Sequence, residues 1–319
     1  QEGSMSFQQI REVISLPPNP PHVNNNTYLC LNNCPKELDH LITLQVLRPL
    51  IFTTFPGFYL RNALVKALRV HCREPGRSAD QKVISCIGCP RIQRCIYHKL
   101  NLPVEVPEER PAVMPFRLGV SNLITGKYES GLMSFELIVF GSANHHAGVF
   151  KEAFEAVGQT YRLGEQGQPD NFRLHSFEKV NETELSTLME RPARECNALQ
   201  LHFRHLKLPD KRQHTNPHLP LEYLLQLTQG RLTDLMGKYG GKSGLANAAL
   251  TPAAIGQTEQ FALCNYQYTG TGHGHWFLSG KVKYEGNLTP FVNLIEAGRH
   301  MGIGRFTSYG FGEYDIQIN

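Results

Sequence analysis

Gly302-Ile303-Gly304-Arg305-Phe306-Thr307-Ser308-Tyr309-Gly310-Phe311-Gly312 is a glycine-rich stretch near the end of this 319-residue chain. It follows an apolar helical pattern over 288–300 and precedes an alternating strand pattern over 313–318. Its glycines let the backbone take positive φ and let N–H groups approach a phosphate, so the stretch is a candidate anion site. No Gly-Lys-Ser/Thr follows, and a strand comes next, which excludes the P-loop and the dinucleotide fingerprint. A tight turn is the ordinary interpretation, but two Gly-x-Gly pairs around four polar or aromatic side chains favour ligand contact.

Outward from this loop, the hydrophobic pattern predicts the same order of elements twice. The first half gives strand 41–50, helix 60–72, strands 114–121 and 131–140 with a hairpin turn at 127–130, helix 149–157 and strand 171–180. The second half gives strand 199–208, helix 219–239, strands 260–268 and 276–284, helix 288–300 and strand 313–318. Each half is β-α-β-β-α-β, the ferredoxin-like unit. We therefore predict an α+β fold of tandem ferredoxin-like domains, at 37–180 and 198–319, joined by a polar linker at 181–197.

A cysteine-bearing insertion at 73–112 interrupts the first unit. Four thiols could meet there, from Cys72, Cys86, Cys89 and Cys95. The Cys-x-x-Cys spacing lets two thiolates reach one ion, so the cysteines predict a structural zinc or an iron–sulfur cluster. Core cysteines and redox chemistry are the alternatives. Because the chain has no secretory signal, we expect a reducing, cytoplasmic location, where metal binding is more common than disulfides.

Composition limits the partners. The formal net charge is +4 and 41% of the residues are apolar, as in an ordinary globular protein, so nucleic-acid binding requires clustered basic residues. No apolar run reaches the roughly 18–20 residues of a membrane span, and we expect no membrane partner.

Residues 280–314 resemble the C-terminal signature of the CRISPR RNA-processing endoribonucleases of the RAMP (repeat-associated mysterious protein) superfamily. The signature consists of the strand Gly280–Gly286, an apolar helix, His300-Met301-Gly302 and the glycine loop. A second match, Phe55–Leu64, resembles the start of the family's first helix. With the cysteine cluster, the similarity covers most of the chain from about residue 40. The resemblance also implies two ferredoxin-like units in tandem.

RNA cleavage without a metal cofactor needs a base for the 2′-hydroxyl, an acid for the departing 5′-oxygen and a cation for the charge on phosphorus. We expect the first and third strands of the first unit to run parallel, so that both of its helices begin at one edge of the sheet. This arrangement would bring Tyr59 and Arg61 near His145 and His146. His300, two residues before the glycine loop, is a separate catalytic candidate.

The RNA ligand is predicted to contact basic residues of the first helix, the glycine loop and a basic cluster at 207–212. The individual candidates are Arg61, Lys66, Arg69, Arg299, Gly302, Gly304, Arg305, Thr307, Ser308, Gly310 and Gly312. Tyr59, Phe306 and Tyr309 are candidates for stacking on bases, although packing is the commoner role of such aromatic residues.

Leu60 departs from the family pattern, because many members have the catalytic histidine at the position aligned with it, and leucine cannot transfer protons. Either another histidine substitutes, or the protein binds RNA without cutting it efficiently. The first interpretation is an endoribonuclease that cleaves a precursor CRISPR transcript at the base of its repeat hairpin. The second is a non-catalytic RAMP subunit that holds guide RNA beside other CRISPR effector subunits. The third is a small-molecule enzyme whose glycine loop binds a nucleotide.

Overall fold

Two four-stranded antiparallel sheets, one in each half of the chain, form the framework of the protein. The computed structural model describes residues 36–70, 95, 97, 100, 113–165, 170–209, 218–240, 255–267 and 274–318. Within these residues, no helix combines the length and apolar character needed to cross a bilayer.

The first unit contains, in chain order, β1 (Lys36–Val46), β2 (Leu50–Phe52), α1 (Pro56–Val70), β3 (Phe116–Gly119), β4 (Gly126–Tyr128), β5 (Gly131–Phe140), α2 (Ala147–Thr160) and β6 (Phe172–Glu184). Its main sheet has the order β3-β5-β1-β6. The hairpin turn predicted at 127–130 is wrong in detail, because β4 forms there and pairs with β2 in a separate ribbon. Positive φ angles at Gly126 and Gly131 let the chain leave one sheet and enter the other.

The second unit follows as α3 (Leu185–Glu190), β7 (Ala198–Leu206), α4 (Leu221–Tyr239), β8 (Gly256–Gln267), β9 (Gly274–Glu285), α5 (Val292–Met301) and β10 (Tyr314–Ile318). The sheet order β10-β7-β9-β8 repeats the order of the first sheet, so the tandem ferredoxin-like fold is confirmed. The segment 181–197, predicted to be a linker, instead holds the end of β6 and the whole of α3. Leu185 and Leu188 of α3 are buried in the second core, which explains why this segment is ordered against the domain.

The direction of the strands corrects one prediction. β1 runs antiparallel to β5, the third strand of the β-α-β-β-α-β order, with Glu37 opposite Phe140 and Val46 opposite Gly131. The strand parallel to β1 is β3, because the α1 crossover returns the chain to the same direction before the next strand begins. The helices α1 and α2 therefore begin at opposite edges of the sheet.

Side chains from each unit enter the core of the other. Phe277 and Phe311, from the second unit, belong to the first core. Ile138 and Phe140, at the end of β5, belong to the second core. The two units are therefore packed as one body, and the glycine loop lies at their junction.

Candidate nucleic-acid interface

The glycine loop, residues 302–312, is closely hydrogen-bonded to its own backbone and to β7. The Ile303 amide donates to the Gly312 carbonyl, and the Arg305 and Gly312 amides donate to the carbonyls of Lys207 and His205. The Gly310 amide donates to Thr307. These four N–H groups are already paired with backbone carbonyls, so they are not the ones that would cradle a phosphate.

Close backbone packing explains the glycines better. At Gly304 a Cβ would collide with the Lys207 carbonyl, and at Gly312 with the Ile303 carbonyl. Both glycines also have positive φ, at 78° and 79°. The loop thus needs glycine in order to pass tightly over the end of β7. Four further predicted contact residues are buried in the structure, namely Gly302, Thr307, Ser308 and Gly310.

The outer side of the loop, together with the start of α1, places cations next to two adjoining aromatic rings. We call this surface the loop face, and its residues are Arg61, Tyr309, Phe306, Lys207 and Arg305. The Arg61 guanidinium lies 4.7 Å from the Tyr309 ring centre. The Tyr309 and Phe306 rings meet edge to face at 5.5 Å. The Lys207 ammonium lies 5.9 Å from the Phe306 ring centre, and Arg305 is exposed beside it. Cations beside aromatic rings are the combination that single-stranded nucleic acids bind, through phosphates and bases respectively.

At one end of the loop face, the positive charges of Lys207 and Arg305 repel each other. Burial and the neighbouring Arg305 lower the pKa of Lys207. The Lys207 ammonium also donates to the Trp276 carbonyl at 2.9 Å, which fixes it beside the loop. An anion bound between Lys207 and Arg305 would offset their repulsion, so this end suits a phosphate. The rest of the predicted basic cluster is described only through residue 209.

Tyr59 lies on the first turn of α1 but contacts β2. Its hydroxyl is 2.9 Å from the Thr53 hydroxyl, and its ring packs 5.2 Å from Phe52. Burial raises the pKa of Tyr59. The helix turn places Phe58 and Arg61 against Tyr309 instead, at 5.4 Å and 4.7 Å. Tyr59 is thus not part of the loop face.

The expected meeting of Tyr59 and Arg61 with His145 and His146 is wrong, because α1 and α2 begin at opposite edges. His145 is exposed, with its Nδ1 3.2 Å from the Ser142 carbonyl. Both histidines follow Phe140, which pairs with Glu37, and so they lie at the edge where β1 starts.

His300 pairs with a buried carboxylate near that same end of β1. Its Nδ1 is 3.1 Å from Oε1 of Glu37, and the side chains are 27% and 1% exposed respectively. Arg117 of β3 donates from Nε to the His300 carbonyl and forms an ion pair with Glu313 at 3.8 Å. These contacts hold both ends of the glycine loop against the first sheet.

Sequence reasoning missed His205, which no motif marks. Its Nε2 is 3.2 Å from the Tyr266 hydroxyl, and its ring lies 4.7 Å from Phe55. Burial, with a contribution from Arg204, lowers the pKa of His205 to about 4, so the ring is neutral at physiological pH. Enclosure among aromatic rings makes His205 a packing residue beneath the loop.

The structure gives only the exposure of some of the remaining predicted residues, and others lie outside the described residues. Lys66 and Arg299 are exposed, while the side chain of Arg69 lies outside the described residues, as do Cys72, Cys86 and Cys89. Cys95 is partly buried against the first core. Among the described residues, no group of three or more potential ligands is arranged for a metal ion. The zinc or iron–sulfur site therefore stays a prediction.

Two ferredoxin-like units that share their cores, with a glycine loop at the junction, define a RAMP-type protein. The family described as CRISPR-associated endoribonuclease Cas6 matches residues 121–314, and the chain belongs to this family. A second family, described as an N-terminal domain, matches residues 37–201.

Solved structures of Cas6 proteins share the fold. A Cas6 product complex matches with a TM-score of 0.52 and 14% identity over 88% of this chain and 100% of that chain. Thermus thermophilus Cas6 gives a TM-score of 0.51 and 12% identity, covering 89% and 99% of the two chains. A partial Cas6-RT-Cas1–Cas2 complex matches with a TM-score of 0.52 and 12% identity, covering 90% of this chain and 46% of that chain. No curated protein sequence matches the chain.

Proposed function

We propose that this protein cuts precursor CRISPR RNA within its repeat, by metal-independent transesterification. The 2′-oxygen forms a bond to the adjacent phosphorus as the bond from phosphorus to the 5′-oxygen breaks. The products are a 2′,3′-cyclic phosphate and a 5′-hydroxyl. Membership of the Cas6 family supports RNA cleavage, and the loop face is the observation that supports this location for the RNA.

The loop face would bind the single strand that leaves the base of a repeat hairpin. Arg61, Lys207 and Arg305 supply charge for consecutive phosphates, and the rings of Tyr309 and Phe306 supply surfaces for unpaired bases. Because Arg61 comes from the first unit and the others from the second, the RNA would cross the junction of the two units. One structural neighbour is a complex with its product and another is assembled with Cas1–Cas2. We therefore propose repeat RNA and other CRISPR proteins as partners.

A second candidate function is RNA binding without cleavage, as a subunit of an effector complex. Leu60, which aligns with the usual position of the family's histidine, is fully buried in the first core. An apolar, enclosed side chain at that position supplies no acid or base, so cleavage requires another group.

The deciding experiment incubates the purified protein with end-labelled repeat hairpin in excess chelator. A matched hairpin carries a single 2′-deoxynucleotide at the cut site. Cleavage that persists in chelator, stops with the deoxy substrate and leaves a cyclic phosphate would support the proposal. Cleavage that requires added metal would contradict the mechanism. Tight binding with an uncut ribose substrate would instead support the non-catalytic function.

A further inference from the structure

The pair formed by His300 and Glu37 has the geometry of an oriented general base. A carboxylate only accepts hydrogen bonds, so the Nδ1 of His300 donates to Oε1 of Glu37 across 3.1 Å. In the neutral ring this leaves Nε2 with a free lone pair. Glu37 is 1% exposed whereas His300 is 27% exposed, so the orienting group is enclosed and the ring reaches solvent. A base held by a second, buried group is the arrangement that activates hydroxyl nucleophiles.

Several other charged groups lie around this pair. Asp39, on β1, lies next to Glu37, and Arg117, on β3, contacts the His300 backbone. Glu313, before β10, pairs with Arg117, and Arg231, on α4, donates to the Met301 carbonyl at 2.9 Å. Burial and the adjacent Glu37 raise the pKa of Asp39 to about 7. Near neutral pH, Asp39 therefore keeps its proton for much of the time.

We propose that His300 is the general base of the cleavage reaction and that Glu37 is its positioning residue. Nε2 of His300 takes the proton of the 2′-hydroxyl as its oxygen attacks phosphorus, and Glu37 stabilises the imidazolium that results. The bond from phosphorus to the 5′-oxygen breaks, and water protonates the departing oxygen to give the 5′-hydroxyl. Arg299, exposed next to His300, is the nearest cation along the chain for the phosphate. The inference rests on the proposed function, since it assigns a residue to that reaction.

The other candidates have geometries that fit the role less well. The Nδ1 of His145 is bound to the carbonyl of Ser142 on its own short helix, which orients the ring without a charge. His205 is enclosed by aromatic rings, and Tyr59 faces β2. Among the described histidines, His218 also pairs with a carboxylate, Oε2 of Glu259 at 2.8 Å, but it lies before α4 on the second unit.

His218 supplies a matched control because its pair has the same chemistry. We expect His300→Gln to lower the single-turnover cleavage rate by about 100-fold or more, the usual contribution of a general base, with repeat binding within about twofold of wild type. His218→Gln should cleave at the wild-type rate. Imidazole added to His300→Ala should restore part of the rate, and it should not accelerate the wild type. Rescue is a result that a purely structural role of His300 would not give.

A comparison of cleavage rate with RNA binding tests Glu37. Replacing its carboxylate with an amide in Glu37→Gln leaves the imidazolium without a buried counter-charge, so the single-turnover cleavage rate should fall while repeat binding is unchanged. Retained cleavage by His300→Gln, or wild-type cleavage by Glu37→Gln, would overturn the assignment. If Glu37→Gln does not fold, the imidazole rescue alone decides the role of His300. If the wild type cuts no repeat, the proposed function fails and the role of His300 fails with it. If the wild type cuts and His300→Gln cuts equally well, only the role of His300 fails.

Discussion

Arg61 links the two units at a single aromatic ring. It belongs to α1, yet its guanidinium lies over Tyr309 of the glycine loop, 4.7 Å from the ring centre. We expect Arg61→Ala to weaken binding of single-stranded repeat RNA by about fivefold, or about 1 kcal/mol, because one phosphate contact and one cation–π contact are lost. Fluorescence anisotropy with a labelled oligonucleotide at fixed salt measures the change.

Lys151→Ala is the control for that measurement. Lys151 is an exposed cation on α2, and its ammonium lies 4.0 Å from the Glu155 carboxylate. The Lys151→Ala substitution therefore removes the same charge as Arg61→Ala, but from another surface. Equal weakening by both variants would show that bulk charge, rather than the loop face, binds the RNA.

Asp39 should make stability depend on pH. Its pKa is raised from 3.8 in the unfolded chain to about 7 in the folded protein, so the folded state binds the proton more tightly. This contribution to stability is fully present below about pH 4 and is lost as the pH rises through about 7. We expect Asp39→Asn, which cannot ionise, to be about 1–2 kcal/mol more stable than wild type at pH 8, a value reduced for partial solvent screening.

Urea unfolding of both proteins from pH 4 to pH 8 provides the test. The advantage of Asp39→Asn should grow with pH and then level off above pH 7. An advantage that is the same at every pH would mean that Asp39 does not titrate in this range.

At the scale of elements, the docking of α1 on the glycine loop depends on Gly57. A Cβ at this position would collide with the carbonyl of Tyr309. We expect Gly57→Ala to destabilise the protein by about 1–3 kcal/mol, as overpacking does, and to weaken RNA binding because the loop must shift. Thermal unfolding and the anisotropy assay measure the two effects.

Gly230 provides the opposite case within a helix. It is an exposed position in the interior of α4, and nothing lies within 4 Å of an added Cβ. Gly230→Ala should stabilise the protein by about 0.5–1 kcal/mol through helix propensity. If Gly57→Ala and Gly230→Ala change the stability of the protein in the same direction, the close approach of α1 to the loop is contradicted.

The elements themselves were largely predictable from the sequence, because each depends on local periodicity. Leu60, Leu64 and Leu68 recur every four residues, and all three are fully buried on α1. Side-chain patterns carry no strand direction, since a strand buries the same side chains in either direction. The direction of β1 relative to β5 follows instead from the predicted order of elements, because the α1 crossover makes β3 parallel to β1 and the chain then reverses into β5. The β2–β4 ribbon was missed because both strands have only three residues, too few for an alternation to show.

The candidate site was predictable only in its parts. Arg61 was identified from its place at the start of the first helix, and Phe306 and Tyr309 from theirs in the glycine loop. The sequence cannot show that Lys207 lies against Phe306. The glycines of the loop were assigned to ligand contact because a positive φ serves equally for approach to a phosphate or to a carbonyl. Only the packing against Lys207 and Ile303 distinguishes the two roles.

At the scale of the whole molecule, the shared aromatic packing couples the two units. Phe311 follows the loop face and is 1% exposed. Its ring lies 4.6 Å from Phe55 of the first unit and 5.5 Å from Phe277 of the second. Because such contacts form only when both units are folded, we expect the wild-type protein to unfold in one calorimetric transition, with the van't Hoff and calorimetric enthalpies equal.

Phe311→Ala should separate the units. The substitution opens a cavity that costs about 3–5 kcal/mol and removes contacts on both sides of the junction, so the single transition should split into two. Phe154→Ala is the control, because Phe154 is equally buried but packs at 5.6 Å on Phe135 inside the first unit. That variant should unfold at a lower temperature and still in one step. A split in Phe154→Ala, or none in Phe311→Ala, would mean that the shared aromatic packing does not couple the units. The loop face would then have no rigid junction to hold Arg61 against Tyr309.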